Sequence, residues 1–299
     1  MSGFERLGGI MPALATPLKE DETVDEAGLR RLLRWVLDGG VHGVVVLGSA
    51  GEFAALTDAE KRRAIQIVVS EVGGQVPVIA GTGEPGTKRA LEMTRMAAKL
   101  GVDAAMVVPP YYNPLRKPAV LEYYRTLAAE AGLPIILYNI PGCTKVTLDL
   151  DVVGELSREK GIVGIKDSSG NFGYFQRLVE TVGSDSFGIV TGSDHLLFAG
   201  LMVGSDGSIG PGANIAPQWF VGLWEAVKEA RFDEAWELER QIMSLGGSLY
   251  RLARGFHAGI KAALAALGIC EPFVTSPACA ANDEQLQQIE AKLRELELL

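Results

Sequence analysis

Gly43-Val-Val-Val-Leu-Gly-Ser-Ala-Gly-Glu-Phe-Ala-Ala-Leu-Thr-Asp-Ala-Glu60 contains one whole structural unit. Its first part, Gly43–Gly48, is an unbroken run of valine and leucine closed by glycine. Such a run suits a parallel strand buried on both faces, because neither face has to meet water. Small residues follow, as a turn requires. Thr57-Asp-Ala-Glu60 then has the form of a capping box, with a hydroxyl three residues ahead of a carboxylate and an apolar helical stretch behind it. Strand, loop and helix start together make one βα unit.

The same pattern recurs along the chain. Apolar runs at Gly9–Thr16, Gly43–Gly48, Val76–Gly81, Ala104–Pro109, Ile135–Ile140, Ile162–Lys166, Gly188–Thr191 and Gly207–Ile209 end in, or are followed directly by, Gly, Thr, Pro or Lys. Most start about 25 to 33 residues apart, the length of one βα unit. Helix starts are expected at Thr23-Val-Asp-Glu26, at Lys117-Pro118, at Thr147-Leu-Asp and at Ser193-Asp194. Eight strands alternating with helices predict a closed α/β architecture, a (β/α)₈ TIM barrel. An open doubly wound sheet is the competitor, but its Gly-x-Gly-x-x-Gly turn is missing after the first run, which ends in Ala15-Thr16-Pro17. The barrel should close near Ile209. Helical patterns at Pro217–Ala230, Phe232–Ser248, Arg254–Leu267 and Asn282–Leu298 exceed what one barrel helix needs. A barrel over residues 1–225 with a C-terminal helical extension over 226–299 is therefore expected.

Composition narrows the class. Of the 299 residues, 47% are hydrophobic and 22% charged, which is ordinary for a globular chain with a large core. A net charge of −9 gives no basic footprint for nucleic acid. No apolar run reaches the roughly 18 residues of a membrane span. Three cysteines, Cys143, Cys270 and Cys279, form no zinc pattern and read as reduced thiols. Met1–Gly9 has no basic leader or apolar signal core. A cytoplasmic protein without membrane or nucleic-acid partners is the expectation.

In a TIM barrel, chemistry sits at the C-terminal ends of the strands. The sixth run ends in Lys166-Asp167. An ammonium there is costly to bury, and desolvation should push the amine toward its neutral, nucleophilic form. Strand alternation would place Ile162 and Gly164 on the same side, Gly164 leaving space beside the lysine. The plainer reading is a lysine that reaches solvent or pairs with Asp167. Tyr138 ends the neighbouring fifth run, where a phenol can move protons; a core tyrosine is the alternative. Gly48-Ser-Ala-Gly51 suits a tight loop whose backbone N–H groups and Ser49 hydroxyl face an anion, although strand-to-helix turns of this kind are common. Tyr111-Tyr112 lies in a proline-stiffened loop able to cover a site or cross to a second subunit. Gly204, Gly207, Gly210 and Gly212 permit a phosphate site or simply serve turns. His42, His195 and His257 are far apart in the chain, without metal-ligand spacing.

Taken together, Gly48-Ser-Ala-Gly-Glu52, Pro110-Tyr-Tyr-Asn113, Tyr138-Asn-Ile-Pro141, Gly164-Ile-Lys-Asp167 and Gly207-Ser-Ile-Gly210 occur in order and resemble the dihydrodipicolinate synthase / N-acetylneuraminate lyase superfamily of class I aldolases. The resemblance spans almost the whole chain, down to Gly259-Ile-Lys-Ala-Ala-Leu264. It implies that Lys166 forms an imine with pyruvate or a related 2-oxo acid, with no metal and no cofactor beyond that covalent Schiff base. It further implies that Tyr138 shuttles protons, that Ser49 and Ala50 hold the carboxylate, and that Gly192 and Ile209 line the pyruvate pocket. Tyr112 would reach from a neighbouring subunit of a homotetramer, a dimer of dimers. Two departures stand out. Where the synthase branch has paired threonines, this chain has Ser49 and Ala50. Where that branch has an arginine for its aldehyde's carboxylate, it has Cys143, followed by Thr144 and Lys145. A thiol makes no bidentate carboxylate contact. The expected substrate is a 2-keto-3-deoxy sugar acid or a 4-hydroxy-2-oxo acid, cleaved or dehydrated, with Cys143 and Thr144 beside it. The rivals are the synthase reaction on aspartate semialdehyde and a non-catalytic barrel that only binds 2-oxo acids.

Overall fold

The computed structural model describes residues 4, 6–113, 115–253 and 255–299. Pro114 of the stiff loop and Arg254, expected to open a helix, lie outside the described residues, as do Met1–Gly3 and Glu5. Eight parallel strands form the centre: β1 (Gly9–Ile10), β2 (Val44–Val46), β3 (Val78–Gly81), β4 (Ala104–Val107), β5 (Ile135–Asn139), β6 (Ile162–Asp167), β7 (Gly188–Thr191) and β8 (Gly207–Ser208). Their hydrogen-bonded order is β1-β8-β7-β6-β5-β4-β3-β2. The remaining seam between β1 and β2 is closed by a parallel bridge between Ala13 and Val45. The fold is therefore the (β/α)₈ TIM barrel the alternating pattern predicts.

The helices that interleave with the strands are α1 (Glu26–Asp38), α2 (Asp58–Val72), α3 (Thr87–Leu100), α4 (Lys117–Glu130), the single turn α5 (Pro141–Thr144), α6 (Leu150–Leu156), α7 (Phe172–Val182), α8 (Leu197–Met202) and α9 (Pro217–Lys228). The longer ones bury one stripe toward the core. In α1, Leu29, Leu32, Leu33 and Val36 are buried, a spacing of three and four that forms one helical face. Burying each such side chain is worth about 1.5–3 kcal/mol. Beyond the barrel come α10 (Phe232–Leu252), α11 (Phe256–Ala266) and α12 (Asp283–Glu295), which pack on one another. α9 runs across the division expected at residue 225.

Helix starts differ from expectation where side chains find better partners. Thr23 does not cap α1. Its hydroxyl donates to the Asp21 carboxylate at 2.6 Å, and Asp25 occupies the cap position. The Thr57 box is half formed: Thr57 accepts from the Glu60 N–H, while the Glu60 carboxylate takes the Val24 N–H at 2.7 Å. Pro118 sits in the first turn of α4 as expected. α6 starts at Leu150, two residues after the Leu148 of the expected Thr147-Leu-Asp start. Ser193-Asp194 opens a 3₁₀ turn, Asp194–Leu196, before α8. A complete capping box occurs instead at Asn282 with Gln285, opening α12.

The N-terminal segment plugs the bottom of the barrel. Leu7 is fully buried there. A Cβ on Gly164 would come within 2.8 Å of the Leu7 Cβ and 2.5 Å of the Gly188 carbonyl oxygen. Gly164 is thus needed for close approach of Leu7 and β7, and not to leave space for Lys166. Nor does strand alternation extend to Ile162, because the β5–β6 register shifts between Ile135 and Ile136, pairing them with Ile162 and Gly164.

Candidate active site

The C-terminal rim of the barrel brings the strand-end residues together. In the β5–β6 register, Tyr138 pairs with Lys166 and Asn139 with Asp167. Side chains alternate along each strand, so the two pairs face opposite sides of the sheet. Asp167 accepts from the Asn139 amide at 2.7 Å and from the Ser169 hydroxyl at 2.8 Å. Burial raises its carboxyl above the usual carboxylate range, and those hydrogen bonds only partly offset the rise. Asp167 is therefore occupied elsewhere and does not pair with Lys166.

Lys166 is 3% exposed. Its Nζ lies 4.2 Å from the centroid of the Tyr138 ring. Room for its aliphatic chain comes from Gly192, one residue past β7. A Cβ there would stand 2.5 Å from Lys166 Cε and collide with the Ser168 hydroxyl. Ile209, just past β8, is fully buried and donates its N–H to the Thr191 carbonyl at 2.9 Å. Gly192 and Ile209 thus both lie at strand ends on the rim that carries Lys166.

Ser49 opens a 3₁₀ turn, Ser49–Gly51, whose Ala50 is buried. The Ser49 and Tyr138 hydroxyls are 3.4 Å apart. Leu47 and Glu52 flank this turn with φ of 58° each, a left-handed conformation unfavourable for residues with a Cβ and held only by surrounding structure. Gly81 helps to hold it, since a Cβ there would run into the Leu47 carbonyl. The strongest support is Glu52. Its side chain and that of Lys261 are each 1% exposed and form an ion pair of 2.9 Å. Thr275 adds its N–H at 2.7 Å and its hydroxyl at 2.8 Å, and Lys261 also donates to the Phe273 carbonyl at 2.7 Å. Burial alone would raise the Glu52 carboxyl, but Lys261 and Thr275 outweigh it and hold the group below the usual range. His257 Nε2 lies 2.9 Å from the Ser49 carbonyl oxygen. The C-terminal extension therefore clamps the Ser49 turn.

Asp194 is another group that sequence reading did not place in the site. One of its carboxylate oxygens accepts from the Gly212 N–H at 2.9 Å; the other is buried without a hydrogen-bond partner. Burial pushes this carboxyl up to about 7, against the lowering effects of that hydrogen bond and of the Lys166 charge. The signal was available, because Asp194 lies in the loop after β7. His257 carried none, since its contact spans 208 residues.

Tyr112 does not join the site within one chain. It is 90% exposed with φ of 76°. Cys143 and Thr144, in α5, line a cavity of about 490 Å³ that opens beside Ser49. Cys143 is exposed. The Thr144 hydroxyl is turned to its own helix, donating to the Ile140 carbonyl at 3.0 Å. Lys145 is folded back on the Gly142 carbonyl at 2.7 Å. Among the described residues, no helix is long and apolar enough to cross a membrane.

Residues 6–296 match the model of the dihydrodipicolinate synthetase family. An uncharacterized DapA-like lyase of Halobacterium salinarum is 37% identical over 293 residues, covering 98% of this chain and 95% of its own. The 4-hydroxy-tetrahydrodipicolinate synthase of Methanopyrus kandleri is 36% identical over 299 residues, covering 99% and 98%. Among solved structures, YagE, a prophage protein of the dihydrodipicolinic acid synthase family from Escherichia coli K12 in complex with pyruvate, superposes with a TM-score of 0.94 at 29% identity, covering 98% of this chain and 99% of that one.

Proposed function

Since the chain belongs to the dihydrodipicolinate synthetase family, and is thereby a lyase of the aldolase kind, we propose that it cleaves a pyruvate-derived 2-oxo acid through an imine on Lys166. The observation that carries this reading is the buried Lys166 amine set against the Tyr138 ring, with Asp167 engaged elsewhere. The pyruvate bound in the YagE structure supports the choice of keto acid.

Once it has given up a proton, the Lys166 amine adds to the C2 carbonyl. The Tyr138 hydroxyl protonates the carbinolamine oxygen, which leaves as water, and an iminium remains. The C4 hydroxyl then gives its proton to the Tyr138 phenolate. The C3–C4 bond breaks, its electron pair forms the C2–C3 double bond of an enamine, and the iminium nitrogen takes up the displaced pair. An aldehyde departs. Protonation at C3 and addition of water release pyruvate and restore Lys166. Ser49, hydrogen-bonded to Tyr138, continues the proton path. The first N–H groups of its 3₁₀ turn, which have no partner within the turn, suit the substrate carboxylate. Tyr112 of a second copy is proposed to complete the relay in a homotetramer, a role its exposure fits. A cytoplasmic setting accompanies this reading, in keeping with three free cysteines.

The substrate is proposed to be a 2-keto-3-deoxy sugar acid or a 4-hydroxy-2-oxo acid. The synthase reaction is the second reading, favoured by the name of the M. kandleri relative. It calls for a cation facing the carboxylate of aspartate semialdehyde. The described residues lining the cavity include no Lys or Arg. The test is borohydride trapping with pyruvate, followed by peptide mass analysis. Reduced adduct on the Lys166 peptide, absent from Lys166→Ala, is expected; an unmodified peptide would remove the mechanism.

A further inference from the structure

The cavity beside Ser49 is walled by Phe53, Ala54, Ala55, Val108, Ile140 and Phe256. On the imine reading it is the space offered to the departing half of the substrate, because Ser49 lines it and the Ser49 hydroxyl lies 3.4 Å from that of Tyr138. Its polar members have little left to offer. Glu52 and Thr275 bond to each other, and Glu52 also to Lys261. The Thr144 hydroxyl is held by the Ile140 and Val146 carbonyls. His257 Nε2 is at the Ser49 carbonyl, and Ser49 itself belongs to the proton path. A weakly hydrogen-bonding thiol, Cys143, the phenol of Tyr111 and the second ring nitrogen of His257 are what remains.

Hydroxyl groups moved from water into such a space lose their hydrogen bonds without replacement. An apolar group gains from the same transfer in proportion to the area it buries. We infer that the C4 substituent of the substrate is apolar, an aryl or branched alkyl group, so that the aldehyde released is hydrophobic and not a polyol. A cavity of about 490 Å³ has room for a ring and its linker. This inference rests on the imine reading above. It selects the 4-hydroxy-2-oxo acid from the two substrate classes proposed there.

Three substrates separate the possibilities: racemic 4-hydroxy-2-oxo-4-phenylbutanoate and 2-keto-3-deoxygluconate in the cleavage direction, and aspartate semialdehyde with pyruvate in the condensing direction. Borohydride trapping with pyruvate runs in parallel. The phenyl substrate is expected to show a kcat/KM at least about 100-fold above that of the sugar acid, the scale on which unpaired hydroxyls are discriminated. Equal rates, a preference for the sugar acid, or aspartate semialdehyde as the best substrate would overturn the inference. Trapped adduct without turnover of any of the three would also overturn it, while leaving the imine chemistry in place. Absence of adduct would remove both.

Discussion

The imine role proposed for Lys166 rests on a few neighbours: the Tyr138 ring at 4.2 Å, Gly192 against its Cε, and an Asp167 whose carboxylate is tied to Asn139 and Ser169. A carboxylate partner would hold the amine as an ammonium. Asp167→Asn should therefore leave borohydride trapping on Lys166 intact, because this carboxylate does not reach the amine. Tyr138→Phe should keep the ring face but remove the transferable proton, lowering kcat about 100-fold or more and slowing adduct formation. A variant retaining near-normal turnover would assign proton transfer to another group. Gly192→Ala tests space: its new methyl falls on Lys166 Cε and the Ser168 hydroxyl, so steady-state assays should show loss of turnover with the fold retained by circular dichroism.

The elements that matter most to the site are not all barrel elements. Glu52, beside the Ser49 turn, is anchored to Lys261 of α11 and to Thr275. Removing one member of a buried pair leaves the other charge uncompensated, at a cost of about 3–5 kcal/mol. Lys261→Met should accordingly lower the melting temperature sharply, and Lys261→Met combined with Glu52→Gln should recover part of the loss. Because the Glu52 carboxyl is held low, its stabilising contribution is present above the ordinary carboxylate range and fades as pH falls through its folded value. α10 behaves in the opposite sense. It packs against the Asp194 turn, and its buried Glu239 accepts from the Phe198 N–H at 3.4 Å. Burial, with the nearby Asp194 charge, raises the Glu239 carboxyl from 4.5 to about 7. A raised carboxyl favours the fold fully below its ordinary value, and that contribution is lost as pH rises through about 7. Glu239→Gln should thus raise stability at pH 8, by about 3 kcal/mol at most, and change little at pH 4. Equal effects at both pH values in thermal melts would show that Glu239 does not titrate in this way.

At the scale of the whole molecule, the exposed Tyr112 predicts shared active sites. In a twofold dimer each copy would lend Tyr112 to the other. Tyr112→Phe and Tyr138→Phe should each be nearly inactive alone. Mixed after subunit exchange, half of the dimers would carry one intact site of two, restoring about a quarter of normal activity; no recovery would place Tyr112 outside its neighbour's site. Much of this arrangement was legible in the chain itself. Apolar runs ending in small residues establish eight parallel strands, and closing them into a barrel puts Ser49, Tyr138, Lys166 and Gly192 on one rim, because the C-terminal end of every parallel strand lies on the same side. Local pattern alone suffices for that. It misjudged Gly164, whose neighbour Leu7 lies far away in sequence, and it gave no sign that the Thr144 hydroxyl donates within its own helix turn. It was silent on His257 and on the Glu52 clamp, whose partners lie 208 and 223 residues away. Sequence periodicity reports which face of an element is buried, and so it determined the barrel and the lysine. Which distant side chains meet across that burial, and hence how the Ser49 turn is held and which side chains wall the cavity beside it, depends on how the helices dock, and only the tertiary structure decided it.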